Sequence, residues 1–161
     1  MAGANAVLTL EKITASNFDA ALALKTKPTQ AKFCPDNAYS LVQAQFHKGT
    51  YRRLICADGV PVGFVMLYVA KAKSEGEIYL WRFLMDGKSQ GRGYGAKAFD
   101  LLMRRIVKAW PSVTIIKSCF IRGRGGPEKF WLRRGFKIDG PPVGDEVPMS
   151  LNVKTWRGSH G

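Results

Sequence analysis

Residues 90–95 read Gln-Gly-Arg-Gly-Tyr-Gly, set between an apolar, strand-like run from Ile78 to Met85 and an amphipathic helical pattern from Ala96 to Ala109. A strand that ends in a glycine-rich turn and opens a helix aims successive backbone N–H groups, and the positive end of the helix dipole, at one point. The chemistry such a turn offers is phosphate capture, with Arg92 adding a positive charge. The same turn also serves simply to pack a helix on a sheet, so its neighbours decide between the two. A nucleotide P-loop would end in Gly-Lys-Ser/Thr, which is absent. A dinucleotide fingerprint would be answered by an acidic residue about 20 positions on. Here that region, Trp110-Pro111-Ser112-Val113, reads as a turn into a strand.

Other chemistries are poorly supplied. His47 and His160 are the only histidines, and Cys34, Cys56 and Cys119 never pair as C-x-x-C. That is too few ligands for a zinc site and too few imidazoles for a Ser-His-Asp triad, so no metal is expected. Scattered cysteines fit a reducing compartment. The first residues, Met-Ala-Gly-Ala-Asn-Ala, lack the basic start and apolar stretch of a leader. The longest apolar run, Gly63 to Ala70, is far short of the roughly 20 residues that cross a bilayer. A cytoplasmic protein without membrane association is expected. The net charge is +13, and between Lys117 and Lys137 seven basic residues face the single acid Glu128. Such a field gathers an anion, either a phosphorylated ligand or a nucleic acid; it is equally the signature of a solvated basic surface.

The elements that must position these groups follow from periodicity. At 161 residues the chain is long enough for one domain, 1–161, with its own core, and residues 154–161 read as a flexible tail. Val7 to Ile13 alternates as a strand does, and Ser16 is placed to cap a helix over Asn17 to Leu24. Two prolines interrupt Lys25 to Pro35, and a second helix, about Ala38 to His47, follows Asp36 and Asn37 as caps. Asp58-Gly59 between two apolar runs is the hairpin signal. The strand Glu77 to Asp86 delivers the chain to the glycine turn. In the next helix Ala98, Leu101, Leu102, Ile106 and Ala109 keep a 3.6 period while Lys97, Asp100, Arg104 and Lys108 face out. Val113 to Cys119 is strand-like, Gly126 to Arg134 a short helix, Phe136 to Asp139 a strand, and Glu146 to Val153 a final strand.

The spacing Gln90-x-x-Gly93-x-Gly95 after Phe83-Leu84-Met85-Asp86, with Pro127 to Phe136 as an aromatic helix closed by Gly-Phe, resembles the GNAT family of acetyl-CoA-dependent N-acetyltransferases. The order β-α-α-β-β-β-α-β-α-β-β matches that fold. The resemblance implies an α/β (α+β) domain with a mixed, mostly antiparallel sheet of about seven strands flanked by about four helices. It implies acetyl-CoA as acyl donor, held by Gln90, Gly91, Arg92, Gly93, Tyr94, Gly95 and Ala96 and by the main chain of Phe83, Leu84 and Met85. Arg124, Lys129 and Arg133 are candidates for its adenosine end. The string Ile78 to Asp86, the Gly126 to Trp131 segment, Asn17, Gln30 and Ala38-Tyr39-Ser40-Leu41 resemble the diamine and spermidine branch most closely.

Transfer to an amine needs a proton removed, because an amine resembling lysine has a pKa near 10.4. Some relatives place a glutamate on the strand before the loop, and the matching positions here are Tyr79 and Trp81, on one strand face with Glu77. Glu77 has two readings, a base acting through water or a solvated residue at a strand start; Tyr79 either lines the acceptor pocket or fills core. Trp131 stands where the family carries a tyrosine that protonates the leaving thiolate, and an indole N–H does not give up its proton. The expected function is acetyl transfer to a primary amine of a small molecule, polyamine-like, amino acid or aminoglycoside-type. A charge of +13 opposes a polycationic acceptor at distance. The alternatives are a transferase directed at a protein or the ribosome, docking on nucleic acid through its basic surface, and an acyl-CoA-binding sensor without turnover. Pairing of edge strands would give a homodimer.

Overall fold

The computed structural model describes residues 5–160. The expectations for residues 1–4 and for Gly161 lie outside the described residues. The elements run β1 (Leu8–Lys12), α1 (Phe18–Ala23), α2 (Asn37–Phe46), β2 (Thr50–Ala57), β3 (Val60–Tyr68), β4 (Glu77–Met85), α3 (Tyr94–Ala109), β5 (Ile115–Ile121), α4 (Glu128–Arg133), β6 (Lys137–Ile138), β7 (Glu146–Asn152) and α5 (Val153–His160), with a 3-10 turn at Pro28–Phe33 between α1 and α2. Seven strands form one sheet in the order β1-β2-β3-β4-β5-β7-β6, antiparallel at every pairing except β4 with β5. The expected mixed sheet is therefore present, with five α-helices among the described residues rather than about four.

The sheet separates two apolar clusters. One gathers Phe99, Leu102, Met103 and Ile106 of α3 with Trp131, Phe136 and Trp156, and the other gathers Ala21, Leu24 and Ala44 of α1, α2 and their link with Phe64, Met66 and Leu84. Burying each large side chain of this kind contributes roughly 1.5–3 kcal/mol. In α3 the buried stripe is Tyr94, Ala98, Phe99, Leu102, Met103 and Ile106. Phe99 and Met103 replace the expected Leu101 and Ala109, because the ring of Phe99 is drawn into an aromatic cluster with Phe83, Trp131 and Phe136.

Local chemistry explains where two other expectations give way. Ser16 does not cap α1; the cap is Asn17, whose side chain reaches back to Thr14 N–H and Lys12 carbonyl at the end of β1. Residues 154–160 are no flexible tail. Asn152 Oδ1 accepts from the N–H groups of Lys154 and Thr155, capping α5, and Val153 and Trp156 are buried in the core. Elsewhere the local signals hold. Asp36 accepts from Tyr39 N–H at the start of α2, and the Asp58-Gly59 hairpin has positive φ at both residues, 49° and 78°, as a type I′ turn demands.

Candidate active site

β4 and β5 pair only over Glu77–Tyr79 with Ile115–Lys117. Beyond Tyr79 they part: the rest of β4 pairs with β3 alone and the rest of β5 with β7 alone. The parting orphans a carbonyl, that of Leu80, and Ser118 Oγ–H donates to it at 2.7 Å across the throat of the split. Asp86 N–H points to Val62 of β3, and alternation along the strand then turns the main-chain groups of Met85 and Phe83 into the split. One contact agrees with that direction: Gln90 Nε2–H donates to Met85 O at 3.1 Å.

The split opens onto a cavity of about 620 Å³. Phe83, Leu84, Met85, Gln90, Gly91, Gly93, Tyr94, Gly95 and Ala96 all line it, so the strand end and the glycine turn expected to hold a donor face one space. Arg92 is exposed beside it. Gly91 and Gly93 take left-handed φ of 78° and 77°, and an added Cβ at either would meet nothing within 4 Å. Glycine is needed there for its backbone conformation, and the space above the turn is open to a ligand. Gly93 caps α3 without any side-chain hydrogen bond, leaving the helix start to whatever enters. Gln90 is held as a brace: its amide exchanges two hydrogen bonds with Gln30, at 2.8 and 3.1 Å, tying turn, strand and 3-10 segment together.

The basic candidates divide. Arg133 lines the cavity, whereas Arg124 and Lys129 are exposed outside its lining. Arg134 lines it too; its guanidinium lies 5.8 Å from the Phe130 ring, and its buried Nε has no hydrogen-bond partner. An orphaned cationic donor beside an open glycine turn is what an anionic donor group would complete. These observations fit the phosphates of an acyl-CoA. Trp131 is 6% exposed and meets Phe83, Phe99, Phe130 and Phe136 at centroid distances of 4.8–5.7 Å, all near-perpendicular, so its ring is a packing hub that also lines the cavity.

Glu77 and Tyr79 lie at the closed end, where β4 still pairs with β5, and neither lines the cavity. Lys117 Nζ is 2.6 Å from the Glu77 carboxylate and Tyr79 O–H donates to it at 3.4 Å. The hydrogen bond from Lys117 holds the Glu77 pKa below the ordinary carboxylate value and raises that of Lys117. No aspartate or glutamate stands among the residues that line the cavity.

On the α2 side, sequence periodicity misses a bulge. Met66 pairs with Arg82 and Leu67 with Leu80, so Trp81 is an extra residue in β4. Trp81 and Arg82 consequently both turn toward α2. Trp81 stacks on Tyr68 at 4.9 Å, while Arg82 donates to Ser40 Oγ and Gln43 Oε1 of α2. Trp81, Cys34, Phe33 and Cys119 line this end of the cavity. Burial pushes the Cys34 thiol pKa up, and partial desolvation with Glu146 alongside pushes that of Cys119, an exposed residue, to about 11.

Residues 18–125 match the acetyltransferase (GNAT) family, and the chain belongs to that family. It is 29% identical over 97 residues to the L-2,4-diaminobutyric acid acetyltransferase of Streptomyces avermitilis, a stretch amounting to 60% of this chain and 53% of that protein. The chain thus spans about half the length of the curated relative it matches. The spermidine N-acetyltransferase of Vibrio cholerae, solved with CoA and spermine, superposes with a TM-score of 0.74 at 12% identity, covering 93% of this chain and 98% of that one. An aminoglycoside acetyltransferase solved with coenzyme A gives 0.74 at 16% identity, covering 96% and 100%. At these identities the likeness is one of fold. No helix among the described residues is long and apolar enough to cross a membrane.

Proposed function

We propose that the chain is an N-acetyltransferase that takes its acetyl group from acetyl-CoA and gives it to a primary amine of a small molecule. The observation that carries this reading is the split between β4 and β5, where the end of β4 has no strand partner on that side and lines one cavity with the glycine turn at the start of α3. The pyrophosphate would sit on the N–H groups of Gly91 to Gly95, with Arg133 and Arg134 on its anionic end. The pantetheine arm would run between the strands. The acetyl carbonyl would take Phe83 N–H, with Met85 N–H as the neighbouring donor. A preorganised donor of this kind is typically worth about 2.7–4 kcal/mol toward the oxyanion.

The amine nitrogen then attacks the acetyl carbon, the C–S bond breaks, and the nitrogen's proton passes through water to the departing thiolate. With no carboxylate in the cavity and Glu77 held by Lys117, the acceptor ammonium loses its first proton to water. Trp131 supplies packing rather than a proton, and a thiol of pKa near 8.5 leaves without general acid help. Acetyl-CoA thiol release against a panel of a diamine, spermidine, an aminoglycoside, an amino acid and a basic peptide tests the reading. Amine-dependent release is expected with a small-molecule member. Silence across the panel, with acetyl-CoA binding intact, would favour an acyl-CoA sensor instead.

A further inference from the structure

Arg82 is a half-buried cation without a carboxylate of its own. Among the described residues its partners are Ser40 Oγ at 3.0 Å from Nε, Gln43 Oε1 at 2.8 Å from Nη2 and the carbonyl of Trp81 at 2.7 Å from Nη1, with the Tyr39 ring 6.0 Å away. None of the ion pairs includes it. A guanidinium has five N–H donors; three are committed to neutral acceptors, leaving one on each terminal nitrogen, the number that a bidentate carboxylate takes. The three neutral bonds fix the plane of the group, so its two open donors are preorganised.

Its position is that of the acceptor rather than the donor. Arg82 itself stands just behind the lining, joined to it by the hydrogen bond to the carbonyl of Trp81, which lines the α2 end of the cavity with Cys34 and Cys119. The β4 bulge puts it there: unbroken alternation from Leu80 through Trp81 would turn Arg82 to the α3 face. Among the described residues no aspartate or glutamate lines the cavity to receive a second ammonium, and Glu146, the neighbour of Cys119, stands outside the lining.

We infer that Arg82 grips the carboxylate of the acceptor, so that the acceptor is an amine that also bears a carboxylate, of amino-acid type, and not a polyamine. The inference rests on the transferase reading above. The test compares L-2,4-diaminobutyrate with 1,3-diaminopropane, the same chain without its carboxylate, by thiol release from acetyl-CoA. The native protein is expected to favour the carboxylated amine by about 100-fold in kcat/KM, the scale of losing charge-assisted hydrogen bonds. In Arg82→Gln the ratio between the two substrates collapses toward one, and Arg82→Lys retains part of it. Acetyl-CoA titration and thermal melting of each variant establish that the donor arm and the fold survive. Equal or better turnover of 1,3-diaminopropane by the native protein overturns the inference while leaving the transferase standing. Acetyl-CoA binding with no release for any amine overturns the transferase reading, and the inference with it.

Discussion

The two ends of the cavity are built from different material. The end proposed for the donor is main chain: the stretch of β4 beyond its pairing with β5, a glycine turn and the start of α3, held in place by the Gln90–Gln30 amide pair. The end proposed for the acceptor is side chain: Trp81 on Tyr68, Arg82 on Ser40 and Gln43, and Cys34 from the irregular segment before α2. A backbone site recognises what every acyl-CoA shares, whereas a side-chain site recognises what distinguishes one amine from another. On the proposed reading the molecule keeps a general function on one side of the split and a specific one on the other.

That contrast breaks first, and hardest, at the turn. Gly93→Glu is expected to abolish acetyl-CoA binding, weakening it by about 1,000-fold or more, because a carboxylate is placed where phosphates sit. The left-handed φ of 77° adds about 1–2 kcal/mol of strain to any side chain there. Gly93→Ala carries the strain without the charge, so titration calorimetry of the pair separates them: the alanine variant should lose stability yet keep most of its affinity. Comparable binding in both variants would remove the phosphate from this turn.

Trp131 sharpens the contrast between packing and chemistry within one residue. Trp131→Ala should cost about 3–5 kcal/mol in denaturant unfolding, since it empties the centre of the aromatic cluster. Trp131→Tyr should change kcat by less than about 10-fold. A rise of about 100-fold or more would show that thiolate protonation limits the native protein and that a phenol had been missing.

At the throat, Ser118→Ala leaves the Leu80 carbonyl without its partner where the strands part. A loss of about 1–3 kcal/mol is expected, with acetyl-CoA affinity falling only modestly. The smallest effect belongs to the closed end of the split. The Glu77 pKa is held down in the folded state, so its contribution is present above the unfolded value near 4.3 and fades as pH falls through the folded one. Lys117 is raised, so its share is present below its unfolded value near 10.4 and fades as pH climbs through the folded one. For a partly exposed pair the total is about 0.2–1 kcal/mol. Glu77→Gln should flatten the acid limb of the urea midpoint against pH and spare turnover; a large loss of kcat would return Glu77 to the chemistry.

Legibility divided along the same line as the material. The glycine turn could be read because left-handed φ leaves glycine as the favoured residue, so the backbone requirement is written in residue types. The Asp58-Gly59 hairpin and the Asp36 cap were readable for the same reason. Arg82 was not, since strict alternation places it on the other face and nothing in the Trp-Arg pair announces a bulge. Ser118 and Arg134 were invisible because their roles depend on where two strands part and on which helix face meets the cavity. The helix over Val153–His160 carried a signal in Asn152, a capping residue followed by Val153 and Trp156 at helical spacing, yet its burial depends on a distant strand: Val153 N–H donates to the Thr114 carbonyl.

Backbone amide chemical shifts under acetyl-CoA titration test the main-chain donor site most directly. In a ¹⁵N-labelled sample the largest changes are expected at Phe83, Met85 and Gly91 to Gly95, with those of α2 small until an amine is added. Saturable shifts that cluster away from the turn and the split, with these amides unmoved, would contradict the assignment of the donor to the β4–β5 split.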